Sequence, residues 1–101
     1  MFKAFRDGAN TARIRKAMNL AGSALTNGKI EIADVQLEKA YKLLLDTRLP
    51  RMMHIELITF WGLIGHEVRK QGYTMLADHC DHMNKLLQAR FDAGDYYSDS
   101  N

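Results

Sequence analysis

Apolar residues recur at three- and four-residue intervals along most of this chain, and that spacing marks one face of a 3.6-residue helix. Four stretches carry it, divided by turn residues. The first runs from about Asn10 to Thr26, with Ile14, Ala17, Met18, Ala21, Ala24 and Leu25 in register. Asn27-Gly28 ends it, Gly28 being suited to the left-handed conformation past a helix end. Phe2 and Phe5 precede it in an added turn that breaks near Gly8. The second stretch, from about Ile32 to Thr47, is striped by Ala33, Leu37, Ala40, Tyr41 and Leu44. It has Glu38 and Lys42 as a supporting pair four apart. Pro50 disfavours helical geometry at Leu49 and is placed to begin the third stretch, Arg51 to Gln71, which Gly72 ends. The fourth runs from Thr74, a fitting N-cap, to Ala93, with Leu76, Cys80, Met83, Leu87 and Phe91 on its apolar face and Gly94 beyond it.

Length and composition narrow the class further. With 101 residues there is material for one modest core, and 47% hydrophobic against 26% charged residues excludes wholesale disorder. One proline and few β-branched runs weigh against an all-β fold. The single cysteine, Cys80, cannot form an internal disulfide, and no run of about 18 apolar residues is present to span a membrane. The expectation is an all-α cytoplasmic protein: four helices as two antiparallel helical hairpins in a single helical domain over 1–94, with a flexible acidic tail over 95–101. The net charge of +2 conceals a basic start and an acidic finish. Residues 1–29 balance at +5 and residues 74–101 at −3.

The third stretch is apolar nearly all round, from Met52 and Met53 through Ile55, Leu57, Ile58, Phe60, Trp61 and Leu63 to Ile64. A helix apolar on every side is buried on more than one side. It is therefore expected to be central or to carry a subunit interface. Four helices offer too few partners for all of these side chains, so Met52, Met53, Ile55 and Leu63 are expected to mediate self-association, as a homodimer.

An internal correspondence at an offset of 44 residues joins Asn27-Gly28-Lys-Ile-Glu-Ile32-Ala33-Asp34 to Gln71-Gly72-Tyr-Thr-Met-Leu76-Ala77-Asp78. Ile14 falls on Ile58, Leu20 on Ile64, Ala21 on Gly65 and Leu43 on Leu87. Helices one and two thus read as one hairpin unit, and helices three and four as a second. Within the second unit, Trp61-Gly-Leu-Ile64-Gly65-His-Glu-Val68, then Gly72 and Ala77, resembles the tetratricopeptide repeat pattern W-x2-L-G-x2-Y…G…A. Ala17-x2-Leu20-Ala21-x2-Ala24, Gly28 and Ala33 is a looser copy; Asp81 and Asn84 depart from the pattern, standing where it has a large apolar and a small residue. The resemblance implies that the first helix of each unit lines a concave groove. Arg15, Met18, Gly22 and Leu25 would come from unit one, and Thr59, Gly62, His66, Arg69 and Lys70 from unit two. Such a trough is partly apolar with a basic end and suits an acidic or carboxylate-ended segment of another protein. Arg15, Trp61, His66, Arg69 and Lys70 are the candidate partner-binding residues.

Chemistry has less purchase. Asp78-His79-Cys80-Asp81-His82 offers several metal-binding groups, but Cys80 faces the apolar stripe while Asp81 and His82 face away, so they do not converge on one ion. No metal or other cofactor is expected. There is no H-E-x-x-H, no G-x-S-x-G and no phosphate-binding loop, and a lone cysteine on an apolar face is ordinary packing. The expected function is therefore a non-enzymatic protein–protein interaction module: an adaptor, a chaperone-like protein, or a regulator or inhibitor acting on a partner's surface. The alternative is a nucleic-acid-binding regulator whose basic helix, with Arg13, Arg15 and Lys16, contacts phosphates.

Overall fold

The computed structural model describes residues 2–98. It contains α1 (Phe2–Thr26), α2 (Ile30–Leu45), α3 (Arg51–Lys70) and α4 (Thr74–Asp92), with no strand among the described residues. α1 packs on α2 and α3 on α4, giving the two hairpins expected from the repeat. The contacts divide the chain into two compact units, one up to Arg48 and one from Leu49 onward.

Both hairpin turns are built by the same backbone chemistry. Gly28 and Gly72 sit at φ +71° and +91°. The Lys29 N–H donates to the Ala24 carbonyl at 2.8 Å, and the Tyr73 N–H donates to the Val68 carbonyl at 2.9 Å. These bonds close the last turn over an otherwise unsatisfied carbonyl, and only glycine takes the required left-handed backbone without strain. The α4 end repeats the device, with Gly94 at φ +71° and the Asp95 N–H on the Arg90 carbonyl at 2.9 Å. Gly28, Pro50, Gly72 and Gly94 stand 22 residues apart; the glycines follow the ends of α1, α3 and α4, whereas α2 stops at Leu45 and Pro50 precedes α3.

In the first unit, Ile14, Met18, Ala21 and Leu25 of α1 and Ala33, Leu37, Ala40 and Leu44 of α2 are buried. This is the stripe read from the spacing. α1 is longer than that spacing indicates. It runs unbroken through Gly8 to Phe2, carrying Phe2 and Phe5 into exposed positions and burying Asp7 and Asn10 on the inward face. The Glu38–Lys42 ion pair does not close, and Thr74 is the first residue of α4 rather than its cap, a place taken by Tyr73.

The second unit buries Met53, His54, Leu57, Trp61, Ile64 and Val68 of α3 with Ala77, Cys80, Met83 and Leu87 of α4. Each large apolar side chain removed from water contributes about 1.5–3 kcal/mol. Gly65 lets the helices approach: a Cβ there would lie 3.2 Å from the Cys80 Cβ. Asn84, at the position where the repeat pattern has a small residue, spans the gap and donates its amide to the Ile58 carbonyl at 2.7 Å. Within one copy of the chain α3 buries Met53, Leu57, Trp61, Ile64 and Val68 on one side and leaves Met52, Ile55 and Leu63 exposed, so it is not a central helix surrounded by the others.

The segment after α4 is held as far as Tyr97. The Tyr97 N–H donates to the Leu49 carbonyl and the Arg51 N–H to the Tyr97 carbonyl, both at 2.9 Å, and His54 Nε2 donates to the Asp95 carbonyl at 3.2 Å. Phe91 and Tyr96 pack edge-on to the His54 ring, and Arg51 covers the Phe91 face. Residues 95–97, the start of the expected acidic tail, thus lie as a strap on their own unit; residues 99–101 of that tail lie outside the described residues.

Candidate functional site

Two surfaces collect the candidate residues, one on each unit. On α3, positions 52, 55, 59, 63, 66 and 70 follow one another at helical spacing and share a face. Met52, Ile55, Thr59, Leu63, His66 and Lys70 are all exposed there, Met52 by 50% and Leu63 by 66%. Residues assigned separately to self-association and to partner binding therefore lie on one surface, with Met52, Ile55 and Leu63 as its apolar members, His66 and Lys70 at its end, and the exposed Glu56, Thr59 and Glu67 among or beside them.

Other expected contacts fall elsewhere. Trp61 is 1% exposed and meets His79 edge-on, so it serves the interior rather than a partner. Met53 is buried for the same reason: it follows the inward spacing of Leu57 and Trp61. Arg69 is exposed, but its guanidinium is committed across the hairpin to Asp78 at 3.2 Å and Asp81 at 2.6 Å. The Asp78 hydrogen bond and the two carboxylate charges hold the guanidinium above its ordinary pKa, more firmly cationic. Of the unit-one residues implied by the repeat resemblance, Met18 and Leu25 are buried while Arg15 is exposed, so that row does not form an open trough.

The second surface is a groove of about 700 Å³ on the first unit. Arg13, Lys16, Ala17 and Leu20 of α1 form one wall; Gln36, Lys39, Lys42 and Leu43 of α2 form the other. The wall positions repeat at three and four residues on each helix, so consecutive turns face the same trough. Four cations and no carboxylate line it. The Arg13 guanidinium donates to the Asn10 amide oxygen at 3.3 Å, and the Gln36 amide oxygen is shielded without a hydrogen-bond partner. The expected basic stripe of Arg13, Arg15 and Lys16 is thereby divided. Arg15 lies about 200° round the helix from Arg13 and does not line the groove.

The histidine and cysteine run of α4 spreads in several directions. Cys80 is buried, Asp78 and Asp81 hold Arg69, His79 meets Trp61, and His82 is exposed. Among the described residues no three His, Cys, Asp or Glu side chains converge. Among the described residues no helix is long and apolar enough to cross a membrane.

No protein-family model, curated protein or solved structure matches the chain. The two surfaces therefore stand on their own geometry.

Sequence reasoning missed Lys39, Lys42, Leu20 and Leu43 as a group. The signal was present in the second helix, where Gln36, Lys39 and Leu43 recur at helical spacing beside the buried stripe. Their meeting with Arg13 and Lys16 depends on how the hairpin closes. It missed His54 too, since a histidine at the start of an apolar helix carries no sign of the carbonyl that will meet it.

Proposed function

We propose that this chain is a small cytoplasmic interaction module, tetratricopeptide-like in its paired hairpins, that acts without catalysis by occupying the surface of another protein. The observation that carries this reading is the continuous exposed face of α3. Met52, Ile55 and Leu63 remain in contact with water although each burial would be favourable. His66 and Lys70 extend the face in a basic direction toward an acidic or carboxylate-ended segment. The face has length for two roles: a second copy on the apolar turns, and a partner at the basic end.

The reading is tested by affinity purification from the source cells with nuclease and chelator present, followed by remixing the purified components. A complex of fixed stoichiometry in light scattering, with affinity on the order of micromolar or tighter, is expected. A purified chain that forms no stoichiometric complex with any co-purified protein, or whose associations disappear on nuclease treatment, overturns it.

A further inference from the structure

Resting on the reading of the chain as a protein-binding module, we propose that the α1/α2 groove seats an acidic amphipathic helix supplied by the partner. The hairpin sets residues 13–20 of α1 against 36–43 of α2, and both walls advance one turn at a time. A third helix fits between two such walls by laying its ridge of side chains into their groove. The span from Arg13 to Leu20 is seven helical rises, about 10 Å, so roughly two turns of the occupant are held.

The lining specifies the occupant's side chains. Leu20, Leu43 and Ala17 give an apolar floor. Arg13, Lys16, Lys39 and Lys42 border it, and none of them closes an ion pair among the described residues. Apolar residues at i, i+3, i+4 and i+7 would fill the floor, with Asp or Glu on either side meeting the cations. The acidic groups already present are placed to set register. Asp34 and Glu38 stand with Val35 in a separate depression on the other side of Lys39 and Lys42. A carboxylate displaced to that side meets like charge, so it is turned back toward the groove.

The same lining disfavours nucleic acid. No aromatic ring is present to stack a base, and phosphates seated there would be desolvated against leucine. Burial of a leucine row, by contrast, needs an apolar floor of this kind.

The probe is a fluorescein-labelled peptide of about four turns with leucines at i, i+3, i+4 and i+7 and glutamates flanking them, followed by anisotropy with the full chain. The comparison peptide has the same composition with its leucines dispersed; a short random DNA duplex and phosphatidylserine vesicles are further arms. Saturable binding at least about tenfold tighter for the amphipathic peptide is expected, weakening as salt rises. Lys16→Glu/Lys39→Glu should lose at least about tenfold, and Leu20→Ser should narrow the difference between the two peptides, with helical circular dichroism unchanged. Equal affinity for the dispersed peptide, tighter binding to duplex or vesicles, or indifference to Lys16→Glu/Lys39→Glu overturns the proposal. Repeating Lys16→Glu/Lys39→Glu on the reconstituted partner complex separates the two readings. A complex that forms and ignores these substitutions removes the groove but leaves the module; no complex at all removes the module.

Discussion

His54 shows how one side chain acquires a role from its surroundings. It is 1% exposed, its Nε2–H is spent on the Asp95 carbonyl, and its Nδ1 is buried with no hydrogen-bond partner. Burial is the main cause that lowers its pKa below 6.5; the Arg90 charge adds to it, and the Asp95 carbonyl bond and carboxylate oppose it. The neutral ring is the form the fold prefers, so the unfolded chain binds the proton more tightly. Stability from this group is complete above the unfolded value of 6.5 and declines as pH falls below it, levelling once pH is beneath the folded value. Urea midpoints should therefore fall between neutral and mildly acidic pH, and His54→Leu should flatten that fall while lowering the midpoint at neutral pH through loss of the Asp95 bond. A pH dependence in this window that His54→Leu leaves unchanged would contradict the assignment. Gly65 is the complementary case, for its value lies in what it lacks. A Cβ at Gly65 would press on the Cys80 Cβ at 3.2 Å, an atom that alanine at position 80 keeps, so Cys80→Ala would not relieve the contact.

Among the described residues α1, α3 and α4 each end before a glycine in left-handed backbone, while α1 runs through Gly8 without breaking. Gly8 lies inside α1 with open space around it and an ordinary helical backbone, whereas Gly28 also has open space but sits at φ +71°. Opposite outcomes follow from one substitution. Gly8→Ala should raise stability by about 0.5–1 kcal/mol, since alanine loses less backbone entropy in a helix. Gly28→Ala should lower it by about 1–2 kcal/mol, the cost of a Cβ in left-handed backbone. Thermal denaturation of both variants checks the pair. The break expected near Gly8 is absent: its backbone is helical, and a glycine within a helix costs only about 0.5–1 kcal/mol. Asp81 and Asn84, which depart from the repeat pattern, are accounted for at this scale. One holds Arg69 across the hairpin and the other holds the Ile58 carbonyl, so polar bridges stand where the pattern has packing.

Across the whole chain, the charge asymmetry acquires a location at one end. The basic excess of residues 1–29 contributes Arg13 and Lys16 to a groove completed by two lysines from a segment whose own balance is slightly acidic. Segment charge therefore did not reveal this cation-lined groove. The apolar excess of α3 acquires a location as well, on a face that water covers in a single copy of the chain. Self-association through it predicts that the wild-type protein scatters light as a dimer at micromolar concentration while Leu63→Glu is a monomer of unchanged helicity. Identical masses for the two proteins would remove the α3 face from the self-association role. Met53→Glu is not a substitute test, because that residue is buried and the change would act on folding.

The succession of apolar spacings and glycine stops determined four helices, their pairing into hairpins and nearly every buried position of α2 and α4, because periodicity and left-handed backbone are local properties of the chain. What tertiary structure alone decided was which apolar residues of α3 stay in water, that Trp61 turns inward, and that lysines from α2 meet Arg13 and Lys16 across a trough. Those outcomes depend on the rotation of one helix against its neighbour, and residues about 26 positions apart in sequence become neighbours only when the hairpin closes.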